Sequence, residues 1–556
     1  MPRDDHIDKP YLPNRKDFHL GKGTVMKSLM KRVFAAAAAI ATVFGLAATT
    51  VATANAADNA TLTVSTTDAK FAGKTVNAYK MFSATVSSDG GAVSHTLTDE
   101  WKPFFKDTAF DGLTGVTDAN INDKANDYVS KLSENKLIAF AAKASNWAQT
   151  KTNNIQAGAT AMVSKTATTD GKYTATFTNL DYGYYVVAVP GATLANASSQ
   201  YATLVSVDRT NVNTDIKGDL PTVDKKVQVD GTGKDATDAK IGDTLTFTLT
   251  STIPDMSAYS TYTFNFKDTL SKGLTFGQVK SVKVENVTLT ENTDYTVTTP
   301  TASNNNTLTV AMKDFKTKQQ ANAGKKITVT YTATLNENAV VGGAGNVNSA
   351  KIQYSNNPST NGTGESEPSK VRVFTYGFTV DKYTGDQYTD AATRLAGAEF
   401  TLAHKDGSAI SFVQVSAGSA TANAVYRVAK AGETGTTTIT TPANGKVVFE
   451  GLENGEYTLT ETKAPAGYNK LASAIGVKVD GQNNGTDTTN ATVTITYNND
   501  NGNDYNQTAS NGVIPVQNKS GAILPGTGGM GTIAFTVIGV LVIALGVAWT
   551  LKRKNA

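Results

Sequence analysis

The sequence contains no cysteine. Disulfides, zinc–thiolate centres and thiol nucleophiles are therefore excluded, so any covalent brace must come from other chemistry. Histidine is nearly as scarce, with four in 556 residues. His6 and His19 precede an apolar N-terminal segment, which leaves only His95 and His404, far apart in the chain, for imidazole chemistry. Proline numbers 14. Basic charge is lacking where it would matter for polyanions. Of 51 Lys/Arg, eight fall in residues 1–56 and three in residues 552–554, leaving 40 against 44 acidic residues between, a net of about −4. No nucleic-acid footprint is present. Phosphate-cradling glycine loops are absent too. The tracts "DGQNNGTDTTN" and "YNNDNGNDYN" lack the ligand spacing of a calcium loop and read as long polar hairpin loops. No cofactor and no metal is called for.

What is abundant is Thr, Asn, Gly, Val and Tyr, the vocabulary of half-buried strands joined by polar turns. The fold class expected is mainly β, as tandem Ig-like sandwiches. Residues 1–56 form an N-terminal extension and signal peptide. From Met26, Lys27, Lys31 and Arg32 precede an apolar run over 33–48, and Ala54-Asn55-Ala56 supplies a small-x-small exit, so cleavage is expected between Ala56 and Ala57. Residues 1–25 carry no such logic, which makes Met26 an alternative initiator. At the other end, residues 531–551 are about 20 uncharged, mostly apolar positions, enough to cross a bilayer, and Lys552, Arg553 and Lys554 would hold the end on the cytoplasmic side.

Just before that span stands "LPGTG": Leu524, Pro525, Gly526, Thr527, Gly528. With the span and basic stub it resembles the LPxTG sorting signal of Gram-positive surface proteins. That resemblance implies cleavage by a sortase between Thr527 and Gly528, passage of the Thr527 carboxyl to an amine, and loss of residues 528–556.

The exported body divides at "KGDLPTVDKK" and at "SNNPSTNGTGESEPSK". Units are expected over 57–216, 217–369 and 370–520, with 521–556 as the sorting segment. "FTNLDYGYYVV" and "FEGLENGEYTL" share F-x-x-L-x-x-G-x-Y, aligning Phe177, Leu180, Gly183 and Tyr185 with Phe449, Leu452, Gly455 and Tyr457. An aromatic entering a glycine turn between strands is a sandwich corner. The first unit adds helix: Ile121, Ala125, Tyr128, Val129 and Leu132 follow a 3.6-residue period, and a second helix is expected over 137–147.

Strand parity then points charged groups inward. Lys225 shares parity with Val223, Val227 and Val229, which turns Lys226 outward. Asp268 shares it with Tyr262, Phe264 and Phe266, and Asn348 with Ala350, Ile352 and Tyr354. In the third unit Lys382 goes with Phe378 and Val380, Glu461 with Tyr457 and Leu459, and Asn518 with Ile514 and Val516. Asn346 shares the parity of Asn348 and stays an alternative. Each lysine lies on its unit's first strand and each asparagine on what reads as its last.

Isolated buried charges are costly, so such groups neutralise or react. A desolvated lysine becomes a free amine, and a buried acid that keeps its proton can polarise a carboxamide and shuttle protons as ammonia leaves. The product is a Lys–Asn isopeptide crosslink. A buried ion pair with a hydrogen-bonded asparagine is the plainer alternative. In the first unit Val189 occupies the place of Glu461, so no crosslink is expected through that corner.

The phrases "IGDTLTFTL", "DTLSKGL" and "YSNNP" make the second unit similar to the fimbrial isopeptide-forming domain. "GLENGEYTLTETKAPAGY" makes the third similar to the collagen-adhesin B-type repeat. Nearly the whole exported chain resembles the shaft subunits of sortase-assembled Gram-positive pili. The resemblance implies crosslinks Lys225–Asn348 and Lys382–Asn518, with Asp268 and Glu461 as proton shuttles. It also implies a class C pilus sortase, a housekeeping sortase, identical subunits, a tip pilin and peptidoglycan as partners, at the Gram-positive cell wall or fimbrium. Such shaft pilins carry their linking lysine in a V-Y-P-K-N-like motif, which is absent here. At the matching place stands "VNTDIKGDLPTV", which makes Lys217 the expected linking lysine and Lys226 the reserve. A monomeric wall-anchored adhesin or minor pilin, binding a host glycan or matrix protein, is the alternative function. A secreted enzyme would have only carboxylates to work with, and none is expected.

Overall fold

The computed structural model describes residues 59–520, except 88–91, 108–109, 111–112, 151–152, 154, 195–199, 359–360, 387–389, 483–484, 486–490 and 499–503; beyond 520 it describes only Val540, Val542, Ile543 and Leu545. The signal segment, its Ala56–Ala57 junction and Leu524, Pro525, Gly526, Thr527 and Gly528 lie outside the described residues, as does all but four positions of the apolar span. The described chain is mostly strand, arranged as three successive pairs of sheets.

The first pair is layered by one strand that is apolar on both faces. In Gly183–Thr193, Tyr184, Val186 and Ala188 face one cluster, while Tyr185, Val187 and Val189 face another. A strand buried on both sides must be covered on both sides. One cover is the three-stranded sheet containing Ala60–Thr66. The other is helical: α1 (Lys102–Asp107), α2 (Ile121–Ser130) and α3 (Glu134–Gln149). The 3.6-residue pattern marks α2 and α3, although α2 stops two residues early and α3 starts three residues early. Helix α1 was not anticipated. It is too short to display a period, yet it seats Phe104 and Phe105 beside Trp101 in the helical cluster.

In the second pair, one sheet runs Thr232–Lys234, Asp224–Val229, Thr244–Thr252, Lys326–Leu335, Leu274–Val284, Val287–Thr288. The facing sheet centres on Phe264–Leu270 and Asn346–Ser355, and also holds Ser369–Phe374. This corrects two expectations. Ser369–Phe374 pairs antiparallel with Asn346–Ser355, so the boundary placed at 369/370 cuts through a strand, and Asn348 is not on the last strand of its unit. The Ser/Pro-rich stretch that reads as linker carries the short strand Thr363–Glu365, which pairs antiparallel with Asn346–Ser355 in the same sheet.

In the third pair, Tyr376–Tyr383 lies between Lys446–Leu452 and the parallel strand Val513–Gln517, so first and last strands are direct neighbours. The facing sheet carries Gly455–Lys463. Second and third pairs are locked at the corner before that strand. Asp238 accepts from both the amide N–H and Nδ2 of Asn454, at 3.1 Å each. Ile241 packs against Gly451, whose φ of +84° and lack of a side chain both matter, since a Cβ there would sit 2.7 Å from the isoleucine.

Candidate functional site

Alternation on Asp224–Val229 buries Lys225 beside Val227 and leaves Lys226 half-exposed in ion pairs with Asp235 and Asp224. From the opposite sheet, Asp268 arrives on the face of Phe264 and Phe266, and Asn348 lies opposite Leu270 on the neighbouring strand. Lys225, Asp268 and Asn348 all have no solvent exposure. The lysine ammonium is paired with Asp268 Oδ2 and lies 5.1 Å from the ring centres of Phe247 and Tyr331, which stack on one another. Tyr331 is a fourth member. Its hydroxyl receives a hydrogen bond from Asn348 Nδ2 at 2.6 Å, donates to Asp268 Oδ2 at 2.7 Å, and stands 2.9 Å from Lys225 Nζ.

The second site is built alike but more directly. Lys382 lies in register with Val516, donates to the Val516 carbonyl at 3.3 Å and sits 3.2 Å from Glu461 Oε1. Glu461 Oε2 accepts from Asn518 Nδ2 at 3.0 Å and from the Leu471 amide at 2.7 Å. All three polar side chains are buried. Lys225 and Asn348 stand on opposite sheets, whereas Lys382 lies on one strand and Asn518 directly follows the neighbouring strand of the same sheet.

The electrostatics of the two sites agree. Burial pulls both lysines down to about 8, against the attraction of the adjoining carboxylates. Burial therefore favours the free amine in both lysines relative to an exposed one. Buried acceptors without a hydrogen-bond donor remain at both sites: Asp268 Oδ1 and Asn348 Oδ1 in the first, and Asn518 Oδ1 in the second, where Glu461 Oε1 has only the Lys382 ion pair at 3.2 Å. An unmet buried acceptor costs about 1–3 kcal/mol. Each site thus gathers an amine, a carboxyl group and a carboxamide in a dry core, the groups that amide exchange requires.

Asn346 is set apart by its bonds. It is fully buried, but its carboxamide is satisfied by the backbone of Val340 and Val373. Tyr331 escaped the sequence reading because it sits in an apolar alternation, Ile327, Val329, Tyr331, Ala333, where a tyrosine passes for one more hydrophobe. The Leu471 amide gave no sequence signal. In the first unit, Tyr185 donates to the Asp181 carbonyl as Tyr457 does to Glu453, so the two corners match, but Val189 is the buried residue that follows. No lysine, aspartate or glutamate is buried among the described residues of 59–216.

Lys217 is exposed and forms no salt bridge among the described residues, while its backbone is held. Its amide donates to Tyr201 Oη at 2.9 Å, that hydroxyl reaches the Asp215 carbonyl at 3.1 Å, and Gly218 lies flat against the tyrosine ring. Among the described residues no cluster of three or more His, Asp or Glu could hold a metal ion, and no helix is long and apolar enough to cross a membrane.

Residues 241–358 match the family model of the Gram-positive pilin backbone subunit 2, Cna-B-like domain, and residues 386–494 match that of the SpaA prealbumin-like fold domain. Asp268, Tyr331, Asn348 and Glu461 fall inside the matched ranges; both lysines and Asn518 fall outside them. The trypsin-resistant surface T6 protein of Streptococcus pyogenes serotype M6 is 26% identical over 279 residues, 45% of this chain and 44% of that protein, so the chain spans less than half the length of this curated relative. Among solved structures, the T6 backbone pilin of the same serotype is 17% identical, with 84% of this chain and 100% of that one covered and a TM-score of 0.44. The major pilin SpaD of Corynebacterium diphtheriae is 20% identical, with 83% and 98% covered and a TM-score of 0.40. A C-terminal fragment of the major pilin of Streptococcus agalactiae is 24% identical, with 54% and 100% covered and a TM-score of 0.39. Two domains of this chain thus match family models of Gram-positive pilins, and the chain is similar over part of its length to a streptococcal surface protein.

Proposed function

We propose that the protein is a shaft subunit of a covalently polymerised surface pilus, stiffened by the crosslinks Lys225–Asn348 and Lys382–Asn518. The observation that carries this reading is the pair of fully buried Lys–acid–Asn sites in consecutive sandwiches. In each, the lysine Nζ bonds to the asparagine Cγ and the amide nitrogen leaves as ammonia, with Asp268 or Glu461 moving protons. Thr527, released from Gly528 by a pilus sortase, is passed to Lys217 of the next subunit. A housekeeping sortase then ties the finished polymer to peptidoglycan at the Gram-positive cell wall. The protein is structural: its only chemistry is a single turnover upon itself.

Lys217 fits the acceptor role because its side chain is free while its backbone is fixed through Tyr201. Lys226 fits it poorly, being engaged by Asp235 at 2.6 Å. With Lys217 and Thr527 as the points of attachment, tension enters just before Lys225 and leaves just after Asn518. Residues 59–216 then lie outside the load path, in keeping with the lack of a buried lysine or acid among their described residues.

Co-expression of the whole chain with a pilus-type sortase tests polymerisation. The parent chain is expected to give a ladder of multimers that survives boiling in detergent, and Lys217→Arg to give monomer alone. A parent chain that stays monomeric would favour a wall-anchored adhesin, and an unchanged ladder from Lys217→Arg would move the link to another lysine.

A further inference from the structure

We propose that the Tyr331 hydroxyl is a catalytic proton relay for the Lys225–Asn348 crosslink, standing between the acid and the leaving nitrogen; this rests on the crosslink reading above. The two sites differ at one point. In the third sandwich, Glu461 Oε2 takes the Asn518 amide hydrogen itself, at 3.0 Å. In the second, the acid is Asp268, one methylene shorter, and it makes no hydrogen bond to Asn348. The Asn348 Nδ2 group donates instead to Tyr331 Oη at 2.6 Å, and Tyr331 donates to Asp268 Oδ2 at 2.7 Å. The hydroxyl fills the gap left by the missing methylene. It also lies 2.9 Å from Lys225 Nζ, so it touches the nucleophile, the acid and the leaving group together. Phe247 stacks on the ring and holds it there.

The step balances without any co-reactant. Lys225 Nζ, as free amine, attacks Asn348 Cγ, forming the Nζ–Cγ bond. As the Cγ–Nδ2 bond breaks, Tyr331 gives its hydroxyl proton to Nδ2 and takes one from Asp268. The surplus proton on the attacking nitrogen returns to Asp268, and ammonia departs. A tyrosine present only to fill the core would need its ring and one partner; a relay needs the hydroxyl in contact with both acid and leaving nitrogen, as here.

The test uses the whole chain, sampled over time after synthesis and digested, with the Lys225–Asn348 branched peptide measured against the Lys382–Asn518 peptide from the same molecules. Tyr331→Phe keeps the ring and is expected to slow the first bond by about 10²-fold or more while leaving the second at its parent rate. Adding Asp268→Glu to that variant restores the longer acid of the third sandwich and is expected to recover most of the lost rate. Parent-like crosslinking in Tyr331→Phe, or a slow variant that Asp268→Glu leaves slow, overturns the relay while the crosslink reading stands. Absence of the first branched peptide from the parent itself overturns both.

Discussion

Asp268→Ala is expected to lower the melting temperature of the second sandwich by about 15 °C or more, at roughly 3 °C per kcal/mol for a unit of this size. Two losses combine. Without its acid the Lys225–Asn348 bond does not form, which forfeits about 4–5 kcal/mol of loop constraint for a loop of more than a hundred residues. Lys225, with no solvent exposure, is then left in the core without its carboxylate partner, at a cost of about 3–5 kcal/mol. Asn348→Ala separates the two, because it removes the bond and keeps the lysine paired, so its melting temperature should fall by roughly half as much. Calorimetry of the parent and both variants gives the order: parent highest, Asn348→Ala between, Asp268→Ala lowest. Equal melting of parent and Asn348→Ala would mean that no bond braces this sandwich. Asn346→Ala serves as the neighbouring control, since it disturbs only backbone hydrogen bonds to Val340 and Val373.

The second large effect is mechanical. Drawn from Lys217 and Thr527, the crosslinked chain is expected to pass load from Lys225 to Asn348 and from Lys382 to Asn518 through covalent bonds. Only the segment between the staples, residues 349–381, can pay out between them, about 110 Å when fully extended. That segment includes the returning strand Ser369–Phe374, whose pairing with Asn346–Ser355 is what tension would peel. Asp268→Ala opens roughly 120 further residues, about 400 Å of new contour, and Glu461→Ala about 450 Å. Single-molecule force spectroscopy reads these lengths directly. A parent chain that releases the full 400 or 450 Å would show that the sandwiches unzip like ordinary domains and that the buried triads carry no covalent load.

Much of this architecture can be read from the residues, and the reasons are physical. The six site residues are visible because strands alternate strictly and both sheets of each sandwich are apolar inside, so a Lys, Asp or Asn in phase with Val and Phe has nowhere else to point. The repeated corner is visible because its tyrosine needs the glycine turn and the carbonyl four residues back. Other features are hidden for equally definite causes. Helix α1 is shorter than two turns and shows no period. Ser369–Phe374 follows a stretch whose Ser, Pro and Gly content reads as linker, although the chain is turning back into the sheet. Choosing between Asn346 and Asn348 needs the partners of each carboxamide, which parity cannot supply. Tyr331 is hidden because a hydroxyl adds nothing to a hydrophobic pattern until the groups across the core are placed around it. The sorting motif is legible in sequence alone and lies outside the described residues.

The measurement that bears most directly on the account is the intact mass of the whole purified chain, read beside Asp268→Ala and Glu461→Ala. Each crosslink releases one ammonia, about 17 Da. The account predicts that the parent falls two ammonias short of its sequence mass, and that each variant falls one short of its own. A parent at its full sequence mass would contradict it, leaving two buried ion pairs where the account places two covalent staples.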